Sequence, residues 1–273
     1  MSSIVATGTL LLLAGLPAWG GSVTEVSPGT VVRWEGEGIT RCELAGEEWT
    51  PLESACWFPV DLLRKEGPLV VGRIRDGVRE TGTVRVGAYP YRDQHIRLKD
   101  DKHVKLSKKD LARVQKEARE VAALFTRRTP TSFRLPLGSP LVGAGVPRNF
   151  GTRRVFNGEP RNPHNGADFA ANAGTPVLAV APGKVVLVAN HFFAGRCVFI
   201  DHGDGLISMY FHLSRSDVSS GAAVMKGQKL GSVGSTGRAS GPHLHFGLRW
   251  RGARIDPNVL LSDPEDAPRI DGR

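Results

Sequence analysis

From His243 to Trp250 every second residue is large and apolar: Leu244, Phe246, Leu248 and Trp250. A period of two marks extended backbone with one covered face, because successive side chains of a strand point to opposite sides. The segment is therefore predicted as a strand whose apolar side enters a core. His243 and His245 share the other side. A second alternating run, Leu206 to Leu213, ends in a further histidine. There Ser208, Tyr210 and His212 are expected on one face, opposite Ile207, Met209, Phe211 and Leu213.

Such strands call for a sheet, and composition agrees. With 33 glycines and 18 prolines in 273 residues, and few long helical patterns, the chain reads as mainly β with many turns. Its length holds one large or two modest domains, and 40% hydrophobic with 23% charged residues excludes a disordered chain. Short β runs at Thr30–Trp34, Leu69–Ile74 and Gly82–Val86 predict a small β-sandwich over 22–88. A basic connector follows over 89–132, with a helix over about 107–126. Ser107 is its expected N-cap, Asp110 completes a capping-box-like pattern, and Leu106 is placed to staple on Leu111. Leu111, Val114, Ala118, Val121, Ala122 and Phe125 form its apolar stripe, and Thr129-Pro130 stops it. A C-terminal antiparallel β domain is expected over 133–265, with 266–273 as a tail. Within it Thr175–Val180 and Lys184–Val188 are read as strands across the turn Ala181-Pro182-Gly183. Cys197–Asp201 and Leu206–Leu213 are read as a second hairpin.

The formal charge of +9 raises nucleic acid as a partner, so its distribution matters. Between Tyr91 and Arg128 twelve Lys/Arg face six Asp/Glu, so most of the excess lies in the connector. No recognition motif or stacking aromatic accompanies it. A solvated helix face or contact with an anionic wall or membrane surface accounts for it, and no specific nucleic-acid partner is expected. The first 24 residues carry no charged side chain. Ile4–Leu16 is apolar but short for a membrane span, and Ala18-Trp19-Gly20 offers small residues for cleavage, so 1–20 is expected to be a signal peptide. The alternatives are an uncleaved anchor or a buried strand. Export would permit a bridge between Cys42 and Cys56, two residues that otherwise stand as buried thiols. Cys197 reads as core filler.

A last cluster, His164-Asn165-Gly166-Ala167-Asp168, has helical spacing, but Pro163 and Gly166 argue for a loop entering a strand. Imidazole and carboxylate suit zinc, and adding His245 gives three protein ligands with a fourth position open, which is the catalytic pattern. No His-Glu-x-x-His helix is present. The segments Phe150-Gly151-Thr152-Arg153-Arg154, His164 to Asp168, Gly174-Thr175-Pro176-Val177, Ile200-Asp201-His202-Gly203, Tyr210-Phe211-His212-Leu213 and Gly234 to Phe246 together resemble the lysostaphin/LytM-type zinc metallopeptidases. The resemblance covers about half the chain, roughly Phe133 to Leu261. It implies an exported endopeptidase, in periplasm, cell wall or medium, that cuts peptidoglycan cross-links or stem peptides. By that resemblance His164, Asp168 and His245 are Zn2+ ligands, and His212 and His243 are unliganded catalytic histidines. Ala167 stands where that family has a larger aliphatic residue. Members of the family without ligands act instead as activators of a cell-wall amidase, which is the alternative function. The N-terminal unit is then a wall-polymer binder, a shield over the site or a spacer. Arg238, in the loop before the histidine strand, is a candidate partner for an acidic stem-peptide group, and Tyr210 is either a substrate contact or a packing residue. His191 and His202 read as structural, and His95 and His103 as solvent-facing.

Overall fold

A computed structural model of the chain describes residues 24–97, 105–145 and 147–270. The expected signal peptide and His103 lie outside them. The N-terminal strands are β1 (Thr24–Val26), β2 (Val31–Glu35), β3 (Ile39–Leu44), β4 (Glu47–Trp49), β5 (Ala55–Pro59), β6 (Gly67–Arg75) and β7 (Val78–Val86). They make a five-stranded sheet in the order β1-β7-β6-β3-β4 and a separate β2-β5 ribbon. Val32, Trp34, Cys56 and Phe58 of the ribbon meet Val26, Cys42, Leu69, Val71, Val84 and Val86 in one core. The disulfide Cys42–Cys56 ties β3 to the ribbon. Closing a loop of sequence separation 14 removes unfolded-state entropy worth about 3 kcal/mol.

The ribbon's other face is covered too. Val31, Ala55 and Trp57 belong to the core of the C-terminal unit, where Trp57 stacks on Trp250 at 6.3 Å. The Arg251 guanidinium lies 3.9 Å from the Trp49 ring and 5.0 Å from the Trp250 ring, donates to the Trp57 carbonyl and pairs with Asp204. The tail is sewn onto the same ribbon: Arg33 N–H donates to Pro268 O, and Ile270 N–H to Arg33 O.

In the connector, β8 (Asp93–Ile96) pairs in parallel with β9 (Arg153–Phe156), and α1 (Lys108–Leu124) follows β8. The Ser107 hydroxyl accepts from Asp110 N–H, as its sequence predicts. The stripe differs from expectation. Leu111 is 46% exposed, and Ala118 and Ala122 are exposed as well. The helix meets the sheet mainly at its end, where Val121, Leu124 and Phe125 pack on Cys197, Phe199, Ile207 and Met209. Its earlier turns are held by polar contacts instead: Arg113 donates to Asn190 O, Glu117 accepts from Phe192 N–H, and Glu120 meets His191.

The C-terminal unit adds β10 (Glu159–Pro160), β11 (Ala167–Ala170), β12 (Pro176–Leu178), β13 (Gly183–His191), β14 (Gly195–Asp201), β15 (Leu206–Ser216), β16 (Ala223–Val224), β17 (Lys229–Val233), β18 (His243–Trp250), β19 (Ala253–Ile255) and the short helix α2 (Pro257–Leu261). Nine of these strands form one sheet, with β11-β18-β15-β14-β13-β16 as its spine. The β14–β15 hairpin forms as expected. The other expected hairpin does not: β12 pairs with β17, while β13 pairs with β14 and β16. Ala179, Val180 and Ala181 are buried, so the chain passes through the core there rather than reversing at the surface.

Tyr210 and His202 are structural. The fully buried Ser208 hydroxyl bridges His202 Nε2 at 2.7 Å and the Tyr210 hydroxyl at 3.1 Å, and Val180 N–H donates to the latter. Burial pushes His202 down to about 4 from an ordinary value near 6.5, against a hydrogen bond to Pro182 O and the charge of Asp201. The unfolded chain therefore takes up this proton first as pH falls. Stability should be flat above about pH 6.5, fall by about 3 kcal/mol between about 6.5 and 4, and level off from this group below that. Urea midpoints across that range for wild type and His202→Gln test it; equal slopes would remove the assignment.

Candidate metal centre

Three elements deliver the predicted residues. Asp168 on β11 stands directly opposite His245 on β18, and Phe211 on β15 is the neighbour of His245 on its other side. His164 arrives on the loop before β11. Asp168 Oδ1 lies 2.9 Å from His164 Nε2 and 2.8 Å from His245 Nδ1, and those two nitrogens are 2.9 Å apart. The three donor atoms lie within 4.8 Å of one another, close enough to share an ion. Close approach of backbone makes room for this: a Cβ on Gly166 would stand 2.6 Å from Phe246 O and 2.7 Å from His245 Nε2.

Each histidine is steered from behind. His164 Nδ1–H donates to Asn149 O at 2.9 Å, which leaves Nε2 for the centre. The Asn149 side chain also accepts from Asp168 N–H and donates to Asp168 O, so one residue positions two of the three donors. The Phe211 ring stacks on His245 with an interplanar angle of 13°. Burial pushes His245 down to about 4, with Asp168 opposing, so it stays a neutral donor. For Asp168 burial works upward, but the close approach of His164 and His245 outweighs it and holds its carboxyl far below the usual range. Two imidazole nitrogens and one ionised carboxylate fit zinc.

His212 and His243 close the arrangement, with ring centroids 4.7 Å apart and His212 6.1 Å from His245. His243 Nε2 is 3.9 Å from Asp168 Oδ1. Both donate Nδ1–H to backbone carbonyls, His212 to Thr236 O and His243 to Gly241 O, so Nε2 is the remaining acceptor on each. Burial, then the neighbouring histidines, push His212 down to about 3.

How His212 gets there overturns the expectation for its strand. Ser208 and Tyr210 belong to the core side, yet His212 faces the centre with Phe211, while Leu213 returns to the core. Two residues, Phe211 and His212, stand on β15 where β14 offers Cys197 alone, and His212 has φ of 64°. This is a β-bulge, which re-aims a side chain at the cost of left-handed backbone. Tyr210 is consequently buried away from any substrate.

Arg154, whose role its motif does not reveal, bonds the outer oxygen of Asp168, Oδ2, while Oδ1 faces the histidines. A guanidinium there fixes the carboxylate's rotation. Arg154→Ala should weaken zinc affinity about 10–100-fold, read by competition with a chromogenic chelator. Unchanged affinity would reduce Arg154 to a surface ion pair. Nothing local in the sequence marks Asn149 as a clamp on a loop fifteen residues away.

A mainly β protein presenting a His-Asp-His donor set beside two further histidines has the form of a metallopeptidase. Residues 162–257 match the model of peptidase family M23, and the chain belongs to that family. A crystal structure assigned to peptidase M23 from Pseudomonas aeruginosa superposes with a TM-score of 0.68 at 33% identity, covering 86% of this chain and 94% of that one. The peptidoglycan DD-endopeptidase ShyA of Vibrio cholerae is 44% identical over 112 residues, 41% of this chain and 26% of that protein. The DD-carboxypeptidase/endopeptidase Mpg of Neisseria meningitidis is 39% identical over 127 residues, 46% of this chain and 29% of that protein. The chain thus spans between a quarter and a third of the length of these two relatives.

Proposed function

We propose that the protein is a zinc-dependent endopeptidase of the cell envelope that hydrolyses amide bonds in peptidoglycan cross-links or stem peptides. The observation carrying this reading is the convergence of His164, Asp168 and His245 to within 4.8 Å, with His212 and His243 beside them. The named activities of the relatives support the substrate class. The Cys42–Cys56 disulfide supports an oxidising compartment, hence export. Among the described residues no helix is long and apolar enough to cross a membrane.

A zinc ion held by His164, Asp168 and His245 supplies Lewis acidity toward an amide carbonyl and toward water. His212 and His243 do the proton work. With Nδ1–H fixed on a carbonyl, each offers a lone pair at Nε2, so one receives the proton of the attacking water. That histidine then passes the proton to the amine nitrogen as the amide C–N bond breaks, and the other stands beside it as a second acceptor at Nε2. Cys197 takes no part: it is fully buried and burial pushes its thiol up to about 12.

The test is metal analysis with mass spectrometry of muropeptides released from a defined sacculus. About one zinc per chain and new peptide ends are expected. Zinc without cleavage, together with faster wall hydrolysis by an added amidase, would make the protein an activator instead. His243→Ala should keep the metal and lose about 10²–10⁴ in turnover. Loss of zinc from that variant would contradict its unliganded role.

A further inference from the structure

Arg238 lies in the loop that builds both unliganded histidines. Two residues before it, Thr236 O holds His212 Nδ1; three residues after it, Gly241 O holds His243 Nδ1. Its own N–H donates to Phe193 O, and a Cβ on the preceding Gly237 would meet Gly195 N at 2.3 Å, so the backbone is fixed on both sides. The guanidinium sits between two aromatic faces, 4.4 Å from the Phe193 centroid and 4.8 Å from that of Phe156. Aromatic faces orient and partly desolvate an arginine without neutralising it.

Among the described residues no carboxylate pairs with it. The charges it feels are those of Arg161 and Arg154, and burial followed by that repulsion pushes it down to about 10. Most other arginines of the structure are matched: Arg73 with Glu80, Arg127 with Asp201, Arg251 with Asp204, Arg254 with Asp61. Arg154 itself is engaged by Asp168. A partly buried guanidinium among like charges is unfavourable in the free protein, and an incoming anion reverses that.

Resting on the endopeptidase reading above, we propose that Arg238 is the recognition point for a carboxylate on the peptide substrate, held beside the scissile amide. The carboxylate is either a C-terminal α-carboxylate or a side-chain carboxylate of the residue following that amide. The planar guanidinium offers it two parallel N–H donors, and Phe156 and Phe193 keep that plane from rotating. The enzyme then selects acidic stem peptides and discriminates against bridges built of glycine alone.

The experiment measures binding rather than turnover. A D-alanyl peptide carries a ketomethylene group in place of the scissile amide, so that it is not hydrolysed. It is made in four forms: C-terminal carboxylate or carboxamide, each with glutamate or glutamine after the isostere. Calorimetric titration into the zinc-loaded full chain should show one of the two carboxylates binding about tenfold or more tighter than its amide, and the pair that differs identifies the source. In Arg238→Met, which keeps a stem between the two rings, the preference should fall to less than about twofold; Arg238→Lys should keep part of it. Equal binding of acid and amide by wild type, no binding of any form, or a preference that survives in Arg238→Met because the acid sits on zinc, each overturns the proposal. Should Arg238→Met not fold, the wild-type and Arg238→Lys comparisons decide. A carboxylate preference without any cleavage of sacculi would instead sink the endopeptidase reading and leave the subsite standing.

Discussion

Asp168→Asn should strip the protein of zinc and reduce peptidoglycan turnover by at least about a thousandfold while leaving the fold intact. The substitution is isosteric, so the β11–β18 pairing that places position 168 opposite His245 persists. What changes is charge. The amide loses the anion that His164 and His245 both approach within 2.9 Å, and Arg154 loses its carboxylate partner. A chelator provides the independent readout. If zinc is present at a thousand times its dissociation constant, binding stabilises the native state by about 4 kcal/mol, so removing it should lower the wild-type melting temperature by about 10 °C. The variant should melt at the same temperature with or without chelator. Full zinc occupancy in Asp168→Asn would dismiss the donor set.

The second large effect concerns the bulge. His212 occupies left-handed backbone, φ 64°, a region that costs an L-residue about 1–2 kcal/mol and glycine almost nothing. His212→Gly and His212→Ala both lose the imidazole, so both should drop turnover by about 10²–10⁴ and keep zinc. They should part company in stability. The glycine variant should be more stable than the alanine variant by about 1 kcal/mol, reversing the order found in ordinary strand interiors. Denaturant midpoints measured side by side check this, and an alanine variant of equal or higher stability would mean the bulge carries no strain. The role proposed for His212 would therefore be held against backbone preference, which is where such strain is expected to collect.

These two positions show how far a sequence reaches. The partnership of His243 and His245 was legible because β18 is regular: period two needs no knowledge of the rest of the fold. The cap at Ser107 was legible for the same reason, being a contact over three residues. His212 was placed on the wrong face because an inserted residue shifts the period, and a histidine gives no warning of positive φ as a glycine would. The stripe on α1 was drawn from spacing alone, which says where apolar residues lie but not how much sheet there is to meet them; Leu111 extends beyond it. Pairings such as β12 with β17, or Arg154 with the outer oxygen of Asp168, depend on chain segments that meet only after folding. The connector shows the limit best. It read as charge and helix, yet Asp93–Ile96 is a strand laid against β9, the strand that carries Arg154.

The doubly covered ribbon has a bearing on what the N-terminal unit contributes. Trp57 and Val31 fill the same interior as Trp250, some seven residues and therefore about 20 Å along β18 from His243. Removing the chain up to the start of the connector would take Val31 and Trp57 out of that core and deprive Trp250 of its stacking partner, with Phe133 still against it. This contact lies at the end of β18 away from His243. The N-terminal unit is thus part of the wall of the C-terminal core, and its loss should register as lost stability of the whole.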